Sequence, residues 1–209
     1  MTMIKAEVTI TGTVRRSASI RTDRNNLPYV SFLMSVSMAD GTGTKDISVF
    51  VSLPQAQQSD LSLYTEGQRV TASGTMDIRR KDDALSFYLT ARLVTVENVP
   101  ALDAISGTLS FRGYLKKENI FEERTSKNGR PYLLFSAYSS EKVGDSFVST
   151  WVTFMRFPEK NATIESIIPE WLRPRAHVDI TGDLRISFYK DAPSLSCIVR
   201  EMTEHINNS

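Results

Sequence analysis

The sequence predicts an all-β protein made of two tandem OB-fold five-stranded barrels, each with a short helix between strands 3 and 4. Three observations carry this. Apolar and polar residues alternate in short runs, the runs recur in the same order in both halves, and a helical segment falls in the same gap each time.

The repetition is direct. "VTITGTVRR" (8–16) matches "LSFRGYLKK" (109–117), with Gly12 over Gly113 and a basic pair after each. "LPYVSF" (27–32) then matches "RPYLLF" (130–135), "VFVSLP" (49–54) matches "TFMRFP" (153–158), and "VTASGTMDI" (70–78) matches "VDITGDLRI" (178–186). The offset grows from 101 to 108 residues as loops lengthen. Four ordered blocks indicate a duplicated domain of about 95 residues, with domain 1 at 1–99, domain 2 at 105–209 and "ENVPALDAISG" linking them.

Within each copy the order is strand, long polar loop, strand, turn, strand, helix, strand, turn, strand. On the second strand of copy 1, Val30, Phe32, Met34 and Val36 share a face opposite Ser31, Leu33, Ser35 and Ser37. "DGTGTKD" is the hairpin turn that follows; its "GTGTK" lacks the spacing and the helix of a phosphate loop. In the third gap of copy 2, Ile164, Ile167, Ile168 and Trp171 stand at helical spacing, and Pro169 bends or ends that helix. The fourth strand of copy 2 sets Val178, Ile180, Gly182, Leu184 and Ile186 against Asp179, Thr181, Asp183, Arg185 and Ser187. A helix after the third of five strands is the OB order, with a plain five-stranded sandwich as the alternative.

Bulk composition decides little about partners. The 209 residues carry 25 Lys plus Arg against 24 Asp plus Glu, a net +1, so only the distribution of charge is informative. One cysteine, Cys197, excludes an internal disulfide, and with His177 and His205 it matches no usual ligand spacing, so neither metal nor cofactor is expected. No leader or membrane-spanning run is read, which suggests a cytoplasmic protein with no membrane partner. No nucleophile elbow, phosphate loop or carboxylate pair is present, so no enzyme is expected.

An OB barrel binds polymers on the outer face of strands 2 and 3 and with the loops joining strands 1 to 2 and 4 to 5. Positive charge gathers there. Copy 1 offers Arg15, Arg16, Arg21 and Arg24 in the first loop and Arg79, Arg80 and Lys81 in the second. Copy 2 offers Arg112, Lys116, Lys117, Lys127, Arg130, Arg156, Arg185 and Lys190. These are the candidate phosphate contacts.

Rings are the other half of such a site. In "STWVTFMRFPEK" (149–160), if Phe154 points inward, as Phe50 would in copy 1, then Trp151 and Phe157 lie outside, about 20 Å apart along the strand. Tyr132 and Tyr138 on strand 2 and Tyr189 on strand 4 would join them as stacking partners for bases. Alternation alone leaves the opposite choice open, with Trp151 and Phe157 in the core. The matching positions of copy 1 are Ile47, Val49, Val51 and Leu53, apolar but not aromatic, which suits core or a subunit contact better than base stacking. Copy 2 is therefore expected to stack, with copy 1 supplying chiefly Arg15, Arg16, Arg79, Arg80, Tyr29 and Tyr88.

These residues resemble the bacterial type of single-stranded DNA-binding protein, the SSB family. The third-strand pattern of Thr150, Trp151 and Phe157, the aromatic Tyr189 seven residues past Gly182, and the Gly67, Val70, Gly74 spacing of "YTEGQRVTASG" are similar to that family. The resemblance spans roughly residues 4–204. It implies base stacking by Trp151, Phe157 and Tyr189, single-stranded DNA as partner in replication, recombination or repair, and a homodimer presenting four OB domains. The end "REMTEHINNS" departs from the family's acidic tail, so recruitment of partners by such a tail is not expected, which suits a phage, plasmid or mobile-element version. An OB-built protein adaptor and an oligosaccharide binder are the rival readings.

Overall fold

The computed structural model describes residues 4–41, 43–54, 58–81 and 84–206, and of residues 58 and 59 the backbone alone. Thr42 in the hairpin turn, residues 55–57 of the first helical segment, Asp82 and Asp83 beside the second basic cluster, and residues 207–209 lie outside the described residues. Two compact units emerge among the described residues: Ala6–Gly107 with Ser187–Pro193, and Thr108–Ile186 with residues 4–5 and 194–206.

The first barrel is built from β1 (Ile4–Thr22), β2 (Pro28–Asp40), β3 (Gly43–Leu53), β4 (Arg69–Lys81) and β5 (Ala84–Thr95). Hydrogen bonding runs β1-β2-β3-β5-β4 and back to β1. The pairing β3–β5 is parallel, whereas β1–β2, β2–β3 and β4–β5 are antiparallel. The second barrel repeats the order with β6 (Ala104–Leu115), β8 (Pro131–Val143), β9 (Ser146–Arg156), β11 (Ala192–Glu204) and β10 (His177–Tyr189). Its added strand β7 (Phe121–Thr125) pairs with β8. Both circuits follow the OB order.

Alternation places the cores. Val30, Phe32, Met34 and Val36 of β2 are fully buried, as are Leu133, Phe135 and Ala137 of β8 to within a few per cent. Phe154 is the hub of the second core, stacked on Phe135 at 5.2 Å between ring centroids and edge-on to Phe111 at 5.0 Å. Burying each such ring is worth about 1.5–3 kcal/mol.

The aligned glycines have one purpose. A Cβ at Gly12 would lie 2.4 Å from the Ser35 carbonyl oxygen, and one at Gly113 would lie 2.2 Å from that of Tyr138. In each barrel the second strand crosses the first at this point, and only a residue without a side chain lets the two backbones meet.

Three expectations are refined or corrected. The short helix expected between the third and fourth strands is present in both barrels as a 3-10 segment, Gln58–Leu63 in the first and Glu165–Ile167 in the second. In the second, Ile168 already has extended backbone (φ −88°, ψ 109°), because the residue before a proline is driven out of the helical region and Pro169 follows. The long polar loop of copy 1 is largely strand, since β1 runs to Thr22 and pairs with β2 as far as Thr22–Pro28 through two irregularities. In copy 2 the corresponding stretch contains β7.

The third correction concerns β3. Ile47, Val49 and Val51 are buried and Phe50 is 40% exposed, the reverse of the alignment with strand 3 of copy 2. Phe32 pairs with Val51 just as Phe135 pairs with Phe154, so the true register is one residue away from the block match. A one-residue slip exchanges the two faces of a strand.

Candidate nucleic-acid interface

On the second barrel the outer face settles the open choice about Trp151. Val152 and Phe154 fill the interior and Trp151 stands outside, 47% exposed. The β8–β9 register sets Tyr138 opposite Trp151, Ser136 opposite Thr153 and Leu134 opposite Met155. Tyr138 and Trp151 touch at 4.9 Å between centroids, and Tyr114 of β6 lies 6.0 Å from Tyr138. His177 of β10 stacks on Tyr114 at 4.4 Å, and His205 meets His177 edge-on at 4.3 Å. Five rings thus follow one another around the outside of the barrel.

A second pair sits about 20 Å along β9 from Trp151, six residues at strand spacing. Tyr132 stacks on half-buried Phe157 at 5.0 Å, and the Arg130 guanidinium lies 5.0 Å from the Phe157 ring while donating to the Pro158 carbonyl. Between the two ring pairs the same face carries Ser136 and Thr153, then Leu134 and Met155, all half-buried.

Charge on this barrel is partly committed. Arg112 donates to Asp179 Oδ1 at 2.5 Å and Oδ2 at 3.2 Å, and Arg124 is bound to Glu122. Burial pushes the Asp179 carboxyl up, but hydrogen bonds from Arg112 and His205 outweigh it and hold the group below the usual carboxylate range. Desolvation, reinforced by the neighbouring His205, lowers the His177 pKa. Arg156 is half-buried with Nη1 unpartnered, and that burial pulls its pKa down. Lys117, Lys127 and Arg185 are exposed, Lys116 is half-buried, and exposed Lys190 lies over the ring of Tyr189, itself 69% exposed.

The first barrel carries rings too. Phe50 on β3 stacks on Tyr88 of β5 at 5.3 Å and 18° between planes. With Tyr29, Leu27 and Pro28 these rings line a cleft of about 490 Å³, whose remaining wall includes Arg21, Asp23, Ser31, Ser52 and Thr90. Arg15, Arg16 and Arg24 stand exposed on the same β1–β2 arm. Arg79 and Lys81 are exposed and Arg80 half-buried near the far end of β4, opposite Ser86, Ala84 and Leu85 respectively.

Sequence reasoning missed Phe50, Tyr114 and the two histidines as members of these surfaces. For Tyr114 the signal was present: Leu109, Phe111, Gly113 and Leu115 form the inward set of β6, which turns position 114 outward. His177 and His205 lie 28 positions apart and meet only because β10 and the chain beyond β11 are neighbours, with His205 N–H bonded to the His177 carbonyl.

No family model matches the chain, and no curated protein does. Among solved structures it is similar to the wild-type single-stranded DNA binding protein from Thermus aquaticus, at 12% identity and a TM-score of 0.45, over 98% of this chain and 94% of that one. A deletion mutant of that protein gives 13% identity and 0.46 over 100% and 98%. The mitochondrial single-stranded DNA binding protein of S. cerevisiae matches 49% of this chain and 96% of its own at 24% identity and 0.37. Among the described residues no helix is long and apolar enough to cross a membrane, and no group of three ligating side chains could hold a metal ion.

Proposed function

We propose that this chain binds single-stranded DNA, holding bases by stacking on outward rings and the backbone by arginines and lysines, without catalysis. The observation that carries the reading is the outward row of exposed Tyr114 and Trp151 with half-buried Tyr138 between them, continued by half-buried Tyr132 and Phe157 about 20 Å on. Rings held in the open on a sheet whose other face is already packed offer flat apolar surface to unpaired bases, at roughly 1–3 kcal/mol per base. The arginines of the β1–β2 arm supply charge for phosphates.

The working form proposed is a homodimer with four OB domains, acting in replication, recombination or repair in the cytoplasm. Solution mass with and without oligo-dT tests the assembly. The binding itself is tested by tryptophan emission in a Trp171→Phe background, which leaves Trp151 as the only reporter of the chain's two tryptophans. Oligo-dT is expected to quench it, with the association constant falling as salt rises at a log–log slope of about −0.7 per neutralised phosphate. Duplex of equal length and a glycan are expected to leave it unchanged. Silence toward every nucleic acid would sink the proposal and leave the protein-adaptor reading.

A further inference from the structure

We propose that the first unit holds a separate pocket for one nucleobase, and that Asp23 makes it prefer bases bearing an exocyclic amine. This rests on the single-strand reading and adds a local base preference to it. The cleft between β2, β3 and β5 has a floor of the stacked Phe50 and Tyr88 rings and a wall of Tyr29, Leu27 and Pro28. At about 490 Å³ it has the size of a small-molecule site, roughly 300–1,000 Å³, and it stays broadly open to solvent.

Its polar groups are few and placed by the backbone. Asp23 closes the turn between β1 and β2: its Oδ1 accepts from the Asn25 and Leu27 N–H groups, both at 2.8 Å, and Asn26 takes the left-handed conformation at φ 59°. Both bonds fall on one oxygen, which leaves Oδ2 to accept from a ligand. An ionised carboxylate accepts and never donates, so it matches the amine of cytosine or adenine and not the carbonyl that thymine carries in its place. Arg21, opposite Tyr29 in the strand register, brings a cation to the same cleft for a phosphate or a base carbonyl. Ser31, Ser52 and Thr90 add hydroxyls that donate or accept.

The test is an NMR titration of the full chain with dCMP, dAMP and dTMP, following the amides of Ser31, Ser52 and Thr90, with oligo-dT binding measured on the same samples. The expected result is saturable movement of these amides with dCMP and dAMP, and affinity for dTMP weaker by about tenfold. Phe50→Ala is expected to weaken dCMP by about tenfold, the effect of losing a stacking ring, and Asp23→Asn to remove the difference between dCMP and dTMP. Tyr88→Leu replaces Phe50→Ala should the latter not fold. If the amides stay still with dCMP, or dTMP binds as well as dCMP, while oligo-dT still binds, the pocket is refuted and the single-strand reading stands. If oligo-dT also fails to bind, both fall.

Discussion

Tyr138 and Trp151 face each other across the β8–β9 pair, 4.9 Å between centroids, with their strand neighbours Ala137 and Val152 turned into the core. The same two strands therefore supply stability on one side and a ring surface on the other. Trp151→Ala is expected to lower affinity for oligo-dT by about 1–3 kcal/mol while the melting temperature hardly moves. A calorimetric scan beside the binding titration checks both halves.

Phe154→Ala should do the opposite. It removes the ring on which Phe111 and Phe135 converge, and the loss of packing plus the cavity left behind cost about 3–5 kcal/mol of stability. Urea unfolding reads this directly.

Gly113→Ala couples the two effects. The added methyl would meet the Tyr138 carbonyl oxygen at 2.2 Å, so β6 and β8 must separate where Tyr138 enters the ring row. Stability is expected to fall by about 1–3 kcal/mol, and affinity for oligo-dT with it. A variant with wild-type stability would contradict this account of the barrel closure.

Acid should weaken the fold through His177. Its pKa is lowered by burial and by His205, so below the ordinary value near 6.5 the unfolded chain takes up a proton that the folded chain resists. The stability this neutral histidine contributes is present above about pH 6.5 and lost as the pH falls through the lower folded value. Asp179, also shifted down, continues the loss in the same direction at lower pH. His177→Gln is expected to flatten the fall in melting temperature between about pH 7 and pH 5, which thermal scans at a series of pH values would reveal.

Charge reversal at Arg15 and Arg16, both exposed, is expected to act chiefly on the salt dependence. For every phosphate that is no longer neutralised, the log–log slope should become shallower by about 0.7, with base stacking by Trp151 retained. Titrations at four or more salt concentrations distinguish this from a uniform loss of affinity.

The strand order and most of the cores were legible because a period of two is a local property that the chain states twice. What failed was register. Matching the two third strands on their prolines put Phe50 where Phe154 sits, yet the second copy has one residue more between the shared pairing and its proline, so Pro54 corresponds to Phe157. The alternating β-branched run Ile47, Val49, Val51 already pointed to the right answer. The 3-10 segment of copy 2 is shorter than its apolar spacing suggested, because spacing says nothing of whether the backbone has room for a second turn, and Pro169 denied it one. Contacts such as His177 with His205 depend on chain paths that no short window contains.

The glycine crossings at 12 and 113 have a consequence for how such a molecule diversifies. With the closure fixed by two positions lacking side chains and the interiors sealed by the inward set, exposed outward positions such as Phe50 and Trp151 are largely released from duty to the fold. A gene that doubles this domain inherits two identical exteriors and is at liberty to rewrite either, here into a concave slot on one copy and a girdle of rings on the other.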